Sequence, residues 1–240
     1  MRNTNGWWNT ISGKDFDNDG DVDLMVGNLG LNSRLRVSVS EPVSIFIGDI
    51  DKNGSLDQIL TYYNQGVRYP IISRDQLVKQ VPSFKRKFLK YENYRSVKLE
   101  DILSKEELTT FVRKDVYVFS SLYLQNLGNG KFSEVRLPTE AQLFPVFSFC
   151  VDDLNKDGHL DVLAIGNLFA IQPDFGRYDA GHGLTMLGDG KGNFTALPNA
   201  ESGLVVNGEG RDIALIRTWR NGKLFLVSLN NDSLKAFKIK

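Results

Sequence analysis

Three stretches decide the fold: Asp15-Phe16-Asp17-Asn18-Asp19-Gly20-Asp21-Val22-Asp23, Asp49-Ile50-Asp51-Lys52-Asn53-Gly54-Ser55-Leu56-Asp57 and Asp153-Leu154-Asn155-Lys156-Asp157-Gly158-His159-Leu160-Asp161. Each has oxygen side chains at positions 1, 3, 5 and 9 and glycine at position 6. A hard cation such as Ca²⁺ takes six to eight oxygen ligands in a flexible cage, and glycine lets the loop turn back around it. The backbone carbonyls of Asp21, Ser55 and His159 are placed to supply a ligand at position 7. One acidic turn carries little weight, because Asp, Asn and Gly are ordinary turn residues. Three copies in one register predict about three bound Ca²⁺ ions.

The flanks say which kind of loop this is. An EF-hand needs a bidentate Glu at position 12 and helices on both sides, whereas Val26, Leu60 and Ala164 stand there. Apolar runs precede loops two and three, at 43–47 and 146–151, and follow loops one and three, at 24–26 and 162–165. Short β-branched and aromatic runs bounded by glycine read as strands. Each loop should therefore join two strands of a hairpin, its last Asp opening the second strand. That argues against EF-hands and helix-flanked dockerin loops.

Asp-x-Asp-x-Asp-Gly-x-x-Asp followed by an apolar strand and Gly-Asn (Gly27-Asn28, Gly166-Asn167) resembles the FG-GAP/VCBS repeat of integrin-α-type β-propellers. The segments 122–132 and 186–194 resemble the outer hairpin of a blade, with Asn129-Gly130 and Gly192-Asn193 as turns needing positive φ. The stretches around Trp7-Trp8, 27–32 and 176–181 resemble bacterial relatives of the cartilage acidic protein (ASPIC/UnbV-associated) group. The resemblance implies an all-β propeller, or part of one, of roughly four blades over 1–240. It also implies a location outside the cytoplasm, as cell-surface, secreted or periplasmic protein, and a role in binding or adhesion to a surface protein or glycan.

The 240 residues carry 29 basic and 29 acidic side chains, so no net field argues for nucleic acid or a membrane surface. The balance hides crowding: positions 1, 3, 5 and 9 of the three loops hold ten of those acids. No stretch reaches the roughly 18 apolar residues of a membrane span, and 1–8 has no signal-peptide core. The single cysteine, Cys150, lies in an apolar strand and reads as a packed thiol.

The spacing of the loops is uneven. Loops one and two lie 34 residues apart, tight for a full blade; loops two and three lie 104 apart. The surplus falls at 73–115, where Phe84, Phe88 and Leu89, then Leu99, Ile102 and Leu103, have helical spacing and Ser104–Glu107 forms a capping box. This helical insertion has eleven basic residues against seven acids. It reads as a packed excursion with solvated charges, or as a docking element for an acidic partner. Downstream, an offset of 64 aligns Asp153, Asn155, Asp157 and Asp161 with Arg217, Trp219, Asn221 and Phe225: a degenerate copy that keeps the turn and loses the carboxylates.

Nothing in the chain reads as catalytic machinery. His159 sits at a position that ligates through its carbonyl, so its ring is expected to face solvent. His182, near Arg177 and Asp179, has no nucleophile in a recognisable setting. No nucleophile elbow, phosphate-binding glycine loop, His-Glu-x-x-His helix or Cys-x-x-Cys pair occurs. The sequence therefore predicts a non-enzymatic, calcium-stabilised binding module. The alternative is a propeller hydrolase or lyase acting on polysaccharide, with calcium structural.

Overall fold

The structure is a computed structural model that describes residues 3–172, 175–219 and 222–238. The strands are β1 (Thr10–Lys14), β2 (Asp23–Gly27), β3 (Val43–Gly48), β4 (Asp57–Asn64) and β5 (Val67–Pro70). After them come helices α1 (Arg74–Gln80), α2 (Phe84–Lys87), α3 (Tyr91–Tyr94), α4 (Leu99–Ile102) and α5 (Lys105–Thr110). The chain continues through β6 (Val112–Val116), β7 (Leu122–Asn126), β8 (Phe132–Arg136), β9 (Val146–Asp152), β10 (Asp161–Gly166), β11 (Leu184–Gly188) and β12 (Phe194–Leu197). A short α6 (Asn199–Ser202) leads to β13 (Gly210–Thr218), β14 (Gly222–Leu229) and β15 (Lys235–Phe237). The fold is all-β; among the described residues there are four antiparallel sheets, none closed on itself.

The chain forms two compact units. One holds Trp7–Arg34 and the chain from Phe119 onward; the other holds Leu35–Val118 and the N-terminal segment ending at Gly6. The first unit contains three sheets, ordered β1-β2-β7-β8, β9-β10-β11-β12 and β13-β14-β15. The second contains one, ordered β6-β3-β4-β5. In sequence, the Leu35–Val118 part of the second unit thus falls between the second and third strands of the first sheet. This explains the tight spacing of loops one and two: they sit on hairpins of different sheets, β1–β2 and β3–β4.

Within the first unit the sheets pack face to face. Met25, Tyr123, Phe149, Val162, Ala164, Leu184 and Met186 fill the layer between the first two sheets. Cys150, Leu163, Ile165, Ile213, Phe225 and Val227 fill the layer between the second and third. Successive residues of a strand point to opposite faces, so β10 is buried on both sides. A strand covered on both faces reads as an unbroken apolar run, which is what Val162–Ile165 is. Cys150 is a packed core thiol as expected, and burial pushes its pKa up.

The Gly-Asn pair ending β10 has a physical reason. A Cβ on Gly166 would lie 1.7 Å from the Pro145 carbonyl oxygen, because the chain entering β9 crosses there at backbone contact. Asn167 then donates to the carbonyls of Gly181 (2.6 Å) and Gly208 (2.9 Å) and accepts from the Gly181 N–H (2.9 Å). One side chain so ties three loop segments together. Glu209, buried at 6% exposure, does the same work nearby, accepting from Asn230 (2.7 Å) and Arg211 (3.0 Å).

In the second unit, eight of the ten buried residues of the main apolar cluster come from 77–103, and Phe46 and Ile59 come from the sheet. The helical segment therefore supplies most of this cluster, and deleting it would uncover Phe46 and Ile59. Its helices run from Arg74 to Thr110; the end of the expected 73–115 insertion is strand β6, paired with β3. Glu107 accepts the Ser104 N–H at 2.6 Å and donates its own N–H to the Ser104 hydroxyl at 3.2 Å, closing the expected capping box. A second box at Ser73–Gln76 opens α1. Leu89, assigned to the buried helical face, is 69% exposed, because α2 ends at Lys87 and the helical phase is lost.

Two turn expectations change. In the β11–β12 connection the positive φ angles fall on Gly190 and Gly192, while Asn193 instead donates to the Asp189 carboxylate. The degenerate loop after β13 is not a nine-residue loop. β13 and β14 stay paired to Thr218–Gly222, with Arg217 opposite Lys223 and Leu215 opposite Phe225. Arg217 and Phe225 are strand residues, and Asn221 lies outside the described residues.

Gly166→Ala should cost about 3 kcal/mol or more, because neither backbone can yield. Gly158→Ala meets no atom and carries only the φ penalty, about 1–2 kcal/mol. Urea denaturation of both variants in chelator measures the difference.

Candidate metal centre

All three loops are built on one hydrogen-bond scaffold. The position-9 Asp opens a strand and is buried: Asp23 and Asp161 at 0% exposure, Asp57 at 4%. It accepts the backbone N–H of position 2, from Phe16 at 3.1 Å, Ile50 at 3.0 Å and Leu154 at 2.8 Å. That bond turns the position-2 side chain inward. Phe16 enters the core between the first two sheets, Leu154 packs on the core between the second and third, and Ile50 packs on the core of the second unit.

The position-1 Asp accepts the position-6 glycine N–H through Oδ2, at 3.1, 2.8 and 3.1 Å in loops one to three. The position-5 oxygen accepts the position-7 N–H, from Asp21 (2.8 Å), Ser55 (2.7 Å) and His159 (2.8 Å). Position 4 takes positive φ in every copy, at Asn18, Lys52 and Lys156, as does glycine at position 6. The closed turns are therefore Asx-type turns that the backbone and the acids build together.

Each loop has a shielded carboxylate oxygen that the scaffold does not use. Asp15 Oδ1, Asp51 Oδ1 and Asp153 Oδ1 are shielded from solvent and have no hydrogen-bond donor. Carboxylate oxygens of Asp15, Asp17 and Asp19 lie within 4.8 Å of one another, as do those of Asp49, Asp51 and Asp57. Loop three has no such triplet among the described residues. Its position 3 is Asn155, whose Nδ2 donates to Asp157 at 2.9 Å. An unsatisfied, shielded carboxylate oxygen is costly, and a cation shared by converging oxygens removes that cost. The donor set fits Ca²⁺: all oxygen, anionic, with carboxylates able to bind through one or both atoms.

Several partners lie outside the nine-residue pattern. Gln125 on β7 donates to Asp17 Oδ2 at 2.7 Å. Tyr123 donates to Asp23 Oδ2 at 2.7 Å, and the Asn126 N–H donates to Asp23 Oδ1 at 2.7 Å. In the second sheet the Gly188 N–H donates to Asp161 Oδ1 at 2.9 Å. The position-9 acid thus fastens the loop to the third strand as well. Burial, then the bond to Asp23, raises the Tyr123 pKa strongly. Lys223 pairs with Asp152 and donates to the Asp153 carbonyl at 3.2 Å, placing an ammonium beside loop three. None of these residues belongs to the nine-residue repeat, so periodicity could not reveal them.

His159 differs from expectation. Its ring packs on Gly190, where a Cβ would lie 2.2 Å from Nδ1, and Nδ1 is shielded from solvent. Asn18 of loop one reaches the Gly190 carbonyl at 3.5 Å. The exposed His182 pairs through Nδ1 with Asn207 Oδ1 at 3.0 Å, not with Asp179 or Arg177. It borders a cleft of about 270 Å³ with Glu140, Phe144, Pro198 and Asn199. The Asn199 amide there is committed to the carbonyls of Gly183 and Leu204.

No family model matches the chain, and no curated protein matches it.

Burial pushes the carboxyls of Asp57 and Asp161 up, against the opposing backbone N–H bonds of Ile50 and Gly188. Both groups hold a proton more tightly folded than unfolded. In the metal-free chain their contribution to stability is present at low pH and lost as pH rises through their folded values. A cation that fixes the ionised form opposes this.

Asp161→Ala should destabilise the protein in chelator by about 2–4 kcal/mol, since the Leu154 and Gly188 N–H groups lose their acceptor. The exposed Asp157→Ala should change chelator stability little and reduce metal binding. Paired urea melts with and without Ca²⁺ separate the two roles.

Proposed function

We propose that this chain is a calcium-stabilised, non-catalytic binding module with the blade architecture of an FG-GAP/VCBS β-propeller. The observation that carries the reading is the repeated scaffold: three loops, one bonding pattern, and in each a shielded carboxylate oxygen with no donor. Asx-turns alone explain the hydrogen bonds. They do not explain why acids crowd where like charges repel.

The blade reading rests on the sheets of the first unit. Each is an up-and-down meander with its first strand at one edge, and neighbouring sheets bury apolar faces on each other. Repetition of this kind is how propellers leave only short edges. In the resemblance, such modules act outside the cytoplasm and bind a surface protein or glycan; a weak calcium site suits that setting, where the ion is millimolar. A structural ion holds its carboxylates ionised and occupies their lone pairs, so these acids are poor proton shuttles. The proposed role is therefore to present a rigid surface.

Loops one and two, with three converging carboxylates each, should bind before loop three, because ligand charge sets affinity. For a Kd of roughly 10⁻⁴–10⁻³ M, millimolar Ca²⁺ adds about 1 kcal/mol per site. Thermal melts in EGTA and in millimolar Ca²⁺ should differ by several degrees, and Asp17→Ala or Asp51→Ala should each remove one ion in a calorimetric titration. Superimposable melts would contradict the reading.

A further inference from the structure

The helical segment of the second unit carries a feature the calcium loops do not explain. Between Ser83 and Lys98 stand six basic residues against one acid, Glu92, in a chain of zero net charge. Phe84 and Phe88 point into the core, which turns Lys85, Arg86 and Leu89 outward. Among the described residues, no ion pair engages Lys85, Arg86 or Lys90.

Two large side chains sit exposed among these cations: Leu89 at 69% and Tyr91 at 67%. Arg74 holds the backbone of the one and the ring of the other. The Arg74 guanidinium donates to the carbonyls of Phe88 (2.6 Å) and Leu89 (3.2 Å) and lies 5.0 Å over the Tyr91 ring. The Tyr91 hydroxyl donates to Asp75 at 2.7 Å. Arg74 and Asp75 thus anchor the Leu89 backbone and the Tyr91 side chain while both residues stay exposed.

We propose that this surface docks on an anionic lipid bilayer, with Lys85, Arg86 and Lys90 on headgroup phosphates and carboxylates and Leu89 and Tyr91 in the interface. A bilayer surface offers anion and hydrocarbon in one layer, and clustered basic residues with apolar neighbours suit it. Protein interfaces enrich Arg and aromatic residues but deplete Lys. Four lysines, at 85, 87, 90 and 98, stand in this stretch, so the chemistry favours lipid over an acidic protein. The surface lies apart from the three loops in sequence and needs no metal.

Cosedimentation of the intact protein with vesicles tests this, in EGTA so that no ion bridges the acidic loops to lipid. Vesicles of phosphatidylcholine with about one-third phosphatidylserine should bind and pure phosphatidylcholine should not. Each charge removed should weaken binding about fivefold, so the triple variant Lys85→Gln, Arg86→Gln, Lys90→Gln should lose roughly 100-fold. Leu89→Ser, which alters no charge, should weaken binding several-fold with an unchanged melting temperature. Binding lost at high salt supports the proposal. Equal binding to both vesicles, binding that survives the triple variant, or retention on heparin with no vesicle binding would overturn it, the last pointing to a soluble polyanion.

Discussion

The buried aspartate at the ninth position of each loop is the contact on which the rest depends. It opens a strand, caps the N–H of the second loop residue and so drives that residue's apolar side chain into a core. In the first unit it also receives an N–H from the third strand, at Asn126 or Gly188. One carboxylate therefore joins turn, hairpin, sheet and core. Such an acid is costly to bury unless every lone pair finds work, which is why the bonding recurs so closely in three sequence contexts.

This division of labour gives the repeat two layers. The inner layer, positions 1, 6 and 9, is a folding device built from backbone bonds. The outer layer, positions 3 and 5 with the spare oxygen of positions 1 or 3, accepts local N–H groups as well, but each loop keeps a shielded carboxylate oxygen that the turn does not use. The β13–β14 hairpin makes the contrast: it closes with a short connection and no acidic loop, and its strands simply extend further. Folding a hairpin here does not require the acids. What they add is concentrated negative charge at one place, which a hard cation would balance.

Much of this was legible in the sequence, for local reasons. The strands beside each loop, the last Asp opening the second strand, and the Ser104 capping box follow from patterns a few residues long. Connectivity was not legible, because β2 pairs with β7 across an entire intervening unit and no local period records a partner so distant. The helical segment could be found from its spacing, yet its role as most of a core could not, since burial depends on what packs opposite. Leu89 continues the apolar spacing but falls after the helix has ended. Glu209, Gln125 and Lys223 look like ordinary surface residues and gain their roles only from the chain that folds over them. Gly166 carries a sequence signal in its Gly-Asn pair, and the Pro145 carbonyl supplies the reason.

The central claim, that the surplus oxygens hold cations, is tested most directly by locating the ions. Crystals grown with millimolar Ca²⁺ and measured at long wavelength should show anomalous peaks at loops one and two. Each peak should lie about 2.3–2.6 Å from Asp15 Oδ1 or Asp51 Oδ1, with six to eight oxygens around it. A weaker peak is expected beside Asp153. Well-ordered loops with water alone at these oxygens would contradict the account.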